Sequence, residues 1–318
     1  MKILKKIMIG AGVLVVCAVS INAVQQDSSG GSEASVKSSR QPEKSVANNY
    51  RIVALPVPKN LDFAGENVPM DDPDVYERMD RELLVNTYWQ SNALLLMKRA
   101  SKFFPIIEPI LKEEGVPDDL KYLAVIESGL TQAVSPARAV GFWQLLEGTG
   151  KDYGLEINDN VDERYNIEKA TRAAAQYLKK AKERFGSWTL AAASYNAGQY
   201  GIDKQLERQK VDDYYDLLLG EETGRYIFRL LALKEIMNHP KKYGFVFDKE
   251  DLYQPIPTFE VKVDTVVKDF PDFASQFGIN YKTLKIHNPW LRDDHLNNAS
   301  RKTYFIKIPE KGYYPALD

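Results

Sequence analysis

The sequence predicts a mainly α-helical protein that closes on a small β-α-α-β unit. Three observations predict it. Between Asp72 and Met237, apolar residues recur at i, i+3 and i+4, the spacing of a helix face, with no strand pattern among them. Past Pro240 the pattern changes: Phe259, Val261 and Val263, and again Tyr304, Ile306 and Ile308, alternate with polar residues as half-buried strands do. The chain of 318 residues, 44% hydrophobic and 27% charged, has the length and composition of two modest globular domains.

Residues 1–24 read as a signal peptide or anchor: Lys2, Lys5 and Lys6 precede an apolar run from Ile7 to Val19, and Ser20 to Ala23 forms a small-residue exit. Cleavage after Ala23 ranks first. Retention as an anchor ranks second, because the run is short for a membrane span. Lipidation at Cys17 ranks third, because Val16 precedes it where bacterial lipoproteins carry a small residue. All three readings export the chain to the periplasm or cell envelope, and the anchor and the lipid would associate it with a membrane. Residues 25–49, rich in Ser, Gly, Gln and Lys, read as a flexible linker.

Residues 50–114 read as an N-terminal helical extension. Asp71, Asp72 and Pro73 open a helix carrying Val75, Met79 and Leu83. A second helix is expected over Asn92–Ser101 and a third from Pro105, kinked or shortened at Pro109. Gly115, Pro117 and Asp118 then punctuate a helix start, and residues 115–245 read as the main domain. Further helices are expected from Phe142 to about Tyr153, over Ile167–Phe185, over Trp188–Ala197 with Ser187 as cap, and after Glu222-Thr223 with Tyr226, Leu230, Leu233 and Met237 on one face. Asn158–Asn166 and Gln199–Asp213 are expected as loops. Residues 246–257 form a proline-bearing linker, and residues 258–312 the β-α-α-β unit, with helices at Asp269–Phe277 and Tyr281–His287.

One residue breaks the helical pattern. Leu120, Leu123 and Ala124 share a face, and the next member of that series is Glu127, two residues before Gly129. A carboxylate that continues an apolar stripe is costly unless it is paired, neutralised or used. At a helix end backed by apolar side chains its pKa should rise, leaving a proton available near neutral pH. The formal net charge of −2 and the lack of a basic block beyond the N-terminus argue against a nucleic-acid partner. A single cysteine excludes an intrachain disulfide and a thiolate metal cluster. His239, His287 and His295 read as surface or structural residues, and neither metal nor cofactor is expected.

Glu127-Ser128-Gly129, Gly141-Phe142-Trp143-Gln144, Ser194-Tyr195-Asn196-Ala197-Gly198, and Glu222-Thr223 followed by Tyr226 occur in this order. Together with Gly115-Val116-Pro117, Ser135-Pro136-Ala137, Thr149–Leu155 and Asp162-Glu163-Arg164, they resemble the lytic transglycosylases of the soluble-lytic-transglycosylase superfamily, family 23 of the glycoside hydrolases. The resemblance covers roughly Val75 to Phe245. It implies a lysozyme-like helical domain whose partner and substrate is the glycan strand of peptidoglycan. Glu127 matches the catalytic acid, which would protonate the oxygen between N-acetylmuramic acid and N-acetylglucosamine. It would then act as base on the C6 hydroxyl, giving a 1,6-anhydro product. Ser135, Gln144, Tyr195, Asn196 and Tyr226 match substrate-side positions, and Tyr195 is expected beside Glu127 with its hydroxyl orienting the carboxyl. Phe142 and Trp143 are expected to pack and shape the groove. Glu147-Gly148 replaces a proline-containing segment usual in the family, and Arg138 stands where glycine is common.

The C-terminal unit resembles a degenerate LysM domain, a module for N-acetylglucosamine chains: Val263-Asp264-Thr265 is similar to its Gly-Asp-Thr motif without the glycine. Two other functions remain. A hydrolytic muramidase would need a second carboxylate; Glu147 and Asp152 lie near the motifs, but neither matches a catalytic position. A non-catalytic peptidoglycan-binding protein would not need Glu127.

Overall fold

The computed structural model describes residues 51–315, so the expected signal or anchor and linker, residues 1–24 and 25–49, lie outside the described residues. The first element is a hairpin that the sequence reading missed, β1 (Asp62–Phe63) and β2 (Glu66–Asn67). Its turn residues Ala64 and Gly65 both have positive φ, 54° and 81°. That is the twist a two-residue hairpin requires. Asp119 secures it by accepting the Ala64 N–H at 2.7 Å.

Helix α1 (Pro73–Tyr88) begins where expected, with Asp72 accepting the N–H groups of Asp74 and Val75. Helix α2 (Gln90–Glu113) corrects the reading of two helices: it runs unbroken through Pro105 and Pro109. The prolines are four residues apart, and both lie on the exposed face. The carbonyls they leave unpaired can therefore take hydrogen bonds from water, while Ile107, Ile110 and Leu111 stay buried opposite. Helix α3 (Lys121–Ser128) carries Glu127 and stops at Gly129, whose φ of 59° is left-handed.

The expected helix from Phe142 is instead a tight turn followed by the short helix α4 (Glu147–Asp152). Gln144 has φ 46°, which no helix accommodates. Helix α5 (Ile167–Phe185) ends at Gly186, and α6 (Trp188–Ala197) is capped by Ser187, both as expected. The loop expected after Gln199 is largely helical, α7 (Gln199–Gln209), with only Ile202 buried along it. A single apolar contact leaves too weak a periodic signal to read. Helix α8 (Glu221–Asn238) is the last long helix. One apolar core joins residues from Phe63 to Phe245, with α6 at its centre: Ala191, Ala192 and Ala193 are fully buried.

The C-terminal unit is as expected: β3 (Thr258–Val263), α9 (Phe270–Ser275), α10 (Tyr281–His287) and β4 (Tyr304–Pro309). β3 and β4 pair antiparallel, from Thr258 opposite Pro309 to Val263 opposite Tyr304. The unit is docked on the helical domain. Val140, Val161 and Tyr165 enter its core, and Arg292 stacks over the Tyr165 ring with its guanidinium carbon 4.0 Å from the centroid. Buried Asn160 accepts the Asn297 N–H on its side chain and the Arg292 N–H on its carbonyl, each at 2.8 Å. No helix among the described residues is long and apolar enough to cross a membrane.

The hairpin holds α6 through one carboxylate. Glu66 accepts the N–H of Trp188 at 2.6 Å and of Thr189 at 2.9 Å, and the hydroxyls of Ser187 and Thr189 at 2.8 Å each. An acid is thereby held at the positive end of the helix by a residue far away in sequence. Burial alone would raise the Glu66 pKa, but these donors together outweigh it and hold the carboxyl down at about 2.

Two outcomes follow for stability. Glu66→Ala is expected to cost about 1–3 kcal/mol in chemical denaturation at pH 7. Because the folded pKa is depressed, this stabilisation is present above the ordinary glutamate value of 4.5 and is lost as pH falls towards 2. The parent should therefore lose its advantage over the variant across that window. Asn160→Ala is expected to cost about 0.5–1.5 kcal/mol, since it removes the part-buried hydrogen bond from the Asn297 N–H; an unchanged melting temperature would show that the docking contact is not stabilising.

Candidate active site

The site is assembled from four places in the chain: the end of α3, the turn at residues 141–144, the end of α6 and the start of α8. Glu127 is half-buried on the last turn of α3. The Tyr226 hydroxyl, from α8, donates to Glu127 Oε1 at 2.5 Å. Tyr226 thus occupies the orienting position expected for Tyr195. The Tyr195 hydroxyl donates instead to the Trp143 carbonyl at 2.6 Å. The geometry explains the exchange: the carbonyl of the 141–144 turn is an unpaired acceptor, and Tyr195 is the donor that meets it.

Electrostatics at Glu127 follow from this packing. Burial raises its pKa; the Tyr226 hydrogen bond and the Arg229 charge pull it back, and the Glu222 charge adds to the rise. The net shift is upward. Both phenols stay protonated: burial, reinforced by the charge of Glu127, pushes Tyr226 and Tyr195 well above the ordinary tyrosine value. Tyr226 is therefore a donor to Oε1, and a proton on the neutral carboxyl would sit on Oε2.

The turn at residues 141–144, tied to the end of α3, is locked from several sides. Ser128 Oγ lies 2.9 Å from the Phe142 carbonyl and 3.0 Å from the Ala124 carbonyl, tying the end of α3 to the turn. Gly141 has φ 79°, and a Cβ built there would lie 2.2 Å from the Arg164 carbonyl oxygen, so only glycine fits. Arg164 is buried in a two-point contact with Asp162, at 2.9 and 2.7 Å, and also donates to the carbonyls of Arg138 and Leu145. The segment Asp162-Glu163-Arg164 is thus the scaffold of the turn. Trp143 is fully buried and donates to Thr171 Oγ1 at 2.9 Å; Phe142 packs edge-on against Phe103. Both pack as the sequence predicted.

The other sequence-predicted residues have hydrogen-bond partners of their own. Gln144 Nε2 donates to the carbonyls of Ala133 and Gly141, at 3.0 and 2.8 Å. Its Oε1 has no hydrogen-bond donor among the described residues. Ser135 Oγ accepts the Ala139 N–H at 3.0 Å, which closes the turn and leaves the hydroxyl proton free to donate. Arg138, where the family commonly has glycine, adopts φ 61°, the left-handed conformation that glycine takes without strain. Asn196 accepts the Thr223 hydroxyl at 2.7 Å and donates to Glu222 at 3.3 Å, joining α6 to α8.

Arg229 and Glu222 were not singled out as individual site residues in the sequence. Arg229 donates to the Ile126 carbonyl at 3.3 Å. It lies one turn past Tyr226 on α8, a spacing that could have flagged it once Tyr226 was chosen. The two carboxylates near the motifs that match no catalytic position are elsewhere engaged or exposed: Glu147 pairs with Lys151 at 2.6 Å on the surface, and Asp152 is exposed. Asp293, Asp294 and His295 bring potential metal-ligand atoms within 4.8 Å of one another, but in the C-terminal unit.

Comparison with known proteins agrees with this architecture. Residues 104–218 match the transglycosylase SLT domain family, and residues 259–312 match the soluble lytic transglycosylase C-terminal LysM-like domain. The chain carries both domains. It is 27% identical over 258 residues to membrane-bound lytic murein transglycosylase D of Escherichia coli, in two strains, covering 78% of this chain and 55% of the relative. The chain therefore spans about half the length of the curated relatives it matches. A solved structure of an inactive mutant of lytic transglycosylase Slt from Pseudomonas aeruginosa aligns at 20% identity and a TM-score of 0.38, over 48% of this chain and 26% of that one.

The electrostatic account is checked by following the Glu127 carboxyl carbon by NMR as pH changes. Tyr226→Phe removes a hydrogen bond to the charged form and should move the Glu127 pKa further up; Glu222→Gln removes a like charge and should move it down. Equal values in all three proteins would rule this arrangement out.

Proposed function

We propose that the chain is a lytic murein transglycosylase, cleaving the β-1,4 bond between N-acetylmuramic acid and N-acetylglucosamine in peptidoglycan without water, with Glu127 as sole acid and base. The observation that carries this reading is the half-buried Glu127, its pKa raised, held on one oxygen by Tyr226. In the first step the Oε2 proton passes to the glycosidic oxygen as the C1–O bond breaks, and positive charge develops at C1 of the muramyl sugar. The Glu127 carboxylate then takes the proton of the C6 hydroxyl, whose oxygen closes on C1. The enzyme ends protonated as it began, and the product is a 1,6-anhydro sugar. General acid–base help of this kind is worth on the order of 10²–10⁴ in rate. Holding the C6 hydroxyl against C1 would supply much of the rest.

Roles for the remaining residues follow from their unused hydrogen-bonding capacity. Gln144 Oε1 would accept from a sugar hydroxyl or acetamido N–H, and the Ser135 hydroxyl would donate to one. Asn196, Tyr195 and Tyr226 would form the cleft wall around them. The substrate lies outside the cytoplasm, so the reading requires export, with residues 1–24 serving as signal or anchor. The relatives named as membrane-bound agree with an envelope location. A second reading, hydrolysis, is favoured by one observation: Glu222 lies close enough for its charge to raise the Glu127 pKa, so a second carboxylate is at hand.

Digestion of purified sacculi with residues 25–318, followed by mass spectrometry of the released fragments, separates these readings. Anhydro-muropeptides from the parent, and a loss of at least ~10² in rate with Glu127→Gln, are expected. Products one water heavier would mean hydrolysis. Fragments released equally well by Glu127→Gln would remove Glu127 from the chemistry.

A further inference from the structure

The loop that follows Glu127 also forms one wall of a separate cavity. This cavity, of about 270 Å³, lies between the helical domain and the LysM-like unit and is lined on that wall by Leu130, Thr131 and Gln132. Glu127 does not line it. Phe103, Phe142 and Trp290 give it aromatic sides, while Lys102, His287 and Lys307 give it a basic edge.

The charges on that edge are not balanced. Lys307 is paired with Glu168, which also lines the cavity. Lys102 has no ion-pair partner among the described residues; its ammonium sits 5.3 Å from the centroid of the Phe103 ring. His287 feels both charges: burial, then the charges of Lys102 and Lys307, lower its pKa. Its Nε2 lies 3.0 Å from the Tyr314 hydroxyl. The fields of two ammonium groups therefore converge on this wall, and one of them is unneutralised. A cavity this small, apolar on one side and holding a single net cation, suits a compact monoanion with an apolar face. A doubly charged group such as phosphate would leave one negative charge uncompensated beside Glu168.

We propose that this cavity binds a small carboxylate-bearing ligand, its carboxylate on Lys102 and its body against Phe103, Phe142 and Trp290. The candidates are defined by chemistry: a muramyl sugar with its lactyl carboxylate, or a short peptide with a free terminal carboxylate. The identity of the ligand rests on the murein-cleaving reading; the site itself does not. Because Leu130–Gln132 begin three residues past Glu127, an occupant would also brace the loop that leads out of the catalytic helix.

Isothermal titration of the full chain carrying Glu127→Gln, so that no turnover occurs, tests this. The probes are N-acetylmuramic acid, N-acetyl-D-alanyl-D-alanine, and N-acetylglucosamine as the sugar without a carboxylate. At least one carboxylate probe is expected to bind, about tenfold more weakly when Lys102→Met is added and near-normally with Lys102→Arg. Which probe binds identifies the source. N-acetylglucosamine should be indifferent to Lys102. Absence of binding by both carboxylates, or binding that Lys102→Met leaves unchanged in a chain with parental melting temperature, overturns the proposal. Digestion of sacculi by the parent keeps the two readings apart. Cleavage without Lys102-dependent binding removes the cavity site alone, and such binding without cleavage removes the transglycosylase reading alone.

Discussion

The hydrogen bond from Tyr226 to Glu127 joins residues 99 positions apart, and the rest of the helical domain serves to make that contact possible. It requires α8 to lie against α3 in one register. Buried Glu82 of α1 supplies much of that placement by accepting Arg225, the residue before Tyr226, at 2.7 Å. A carboxylate buried to that degree is tolerated only with its charge matched, and Arg81 at 2.5 Å adds a second cation. Glu66 performs the corresponding task for α6, holding its N-terminus so that its last turn delivers Tyr195 and Asn196. Charged groups far from the carboxyl therefore position the helices that carry the site.

The Glu127 carboxyl is subject to opposing influences. Burial alone favours the neutral carboxyl, which would make Glu127 a reluctant proton donor. Tyr226 and Arg229 favour the charged form and keep that second state accessible. Neither influence acts alone on Glu127, and the net shift is upward. The turn at residues 141–144 is rigid for a related reason. Its glycine lies against the Arg164 carbonyl, its tryptophan is buried, and Gln144 is bonded to the carbonyls of Ala133 and Gly141.

The C-terminal unit is joined to this framework by more than its linker. Asn160, Val161 and Tyr165 lie just ahead of α5, and they form hydrogen bonds and apolar contacts with the segment around Trp290–Asn297. The same segment of the helical domain, through Asp162 and Arg164, supports the turn at residues 141–144. The domain interface and the site thus share a stretch of backbone, which ties the geometry of one to the other.

Much of this was legible in the sequence. The helices with long apolar faces and clear caps, α1, α5, α6 and α8, were readable because periodicity and capping are local properties. Glu127 stood out because it broke a local pattern. The four motifs, in order, pointed to one family. What the sequence could not decide was which side chain meets which. Tyr195 and Tyr226 are equivalent candidates in one dimension, and only the packing of α6 and α8 gives the carboxyl to one and the Trp143 carbonyl to the other. The prolines of α2 read as breaks because their exposure is a tertiary fact. The turn at Gln144 read as helix because its left-handed backbone is set by Gly141 pressed against Arg164, not by its own residues. Glu66 was invisible for the same reason: its partners lie more than a hundred residues away. Local pattern determined the elements and the acid, whereas long-range hydrogen bonds and steric contact decided how the acid is held.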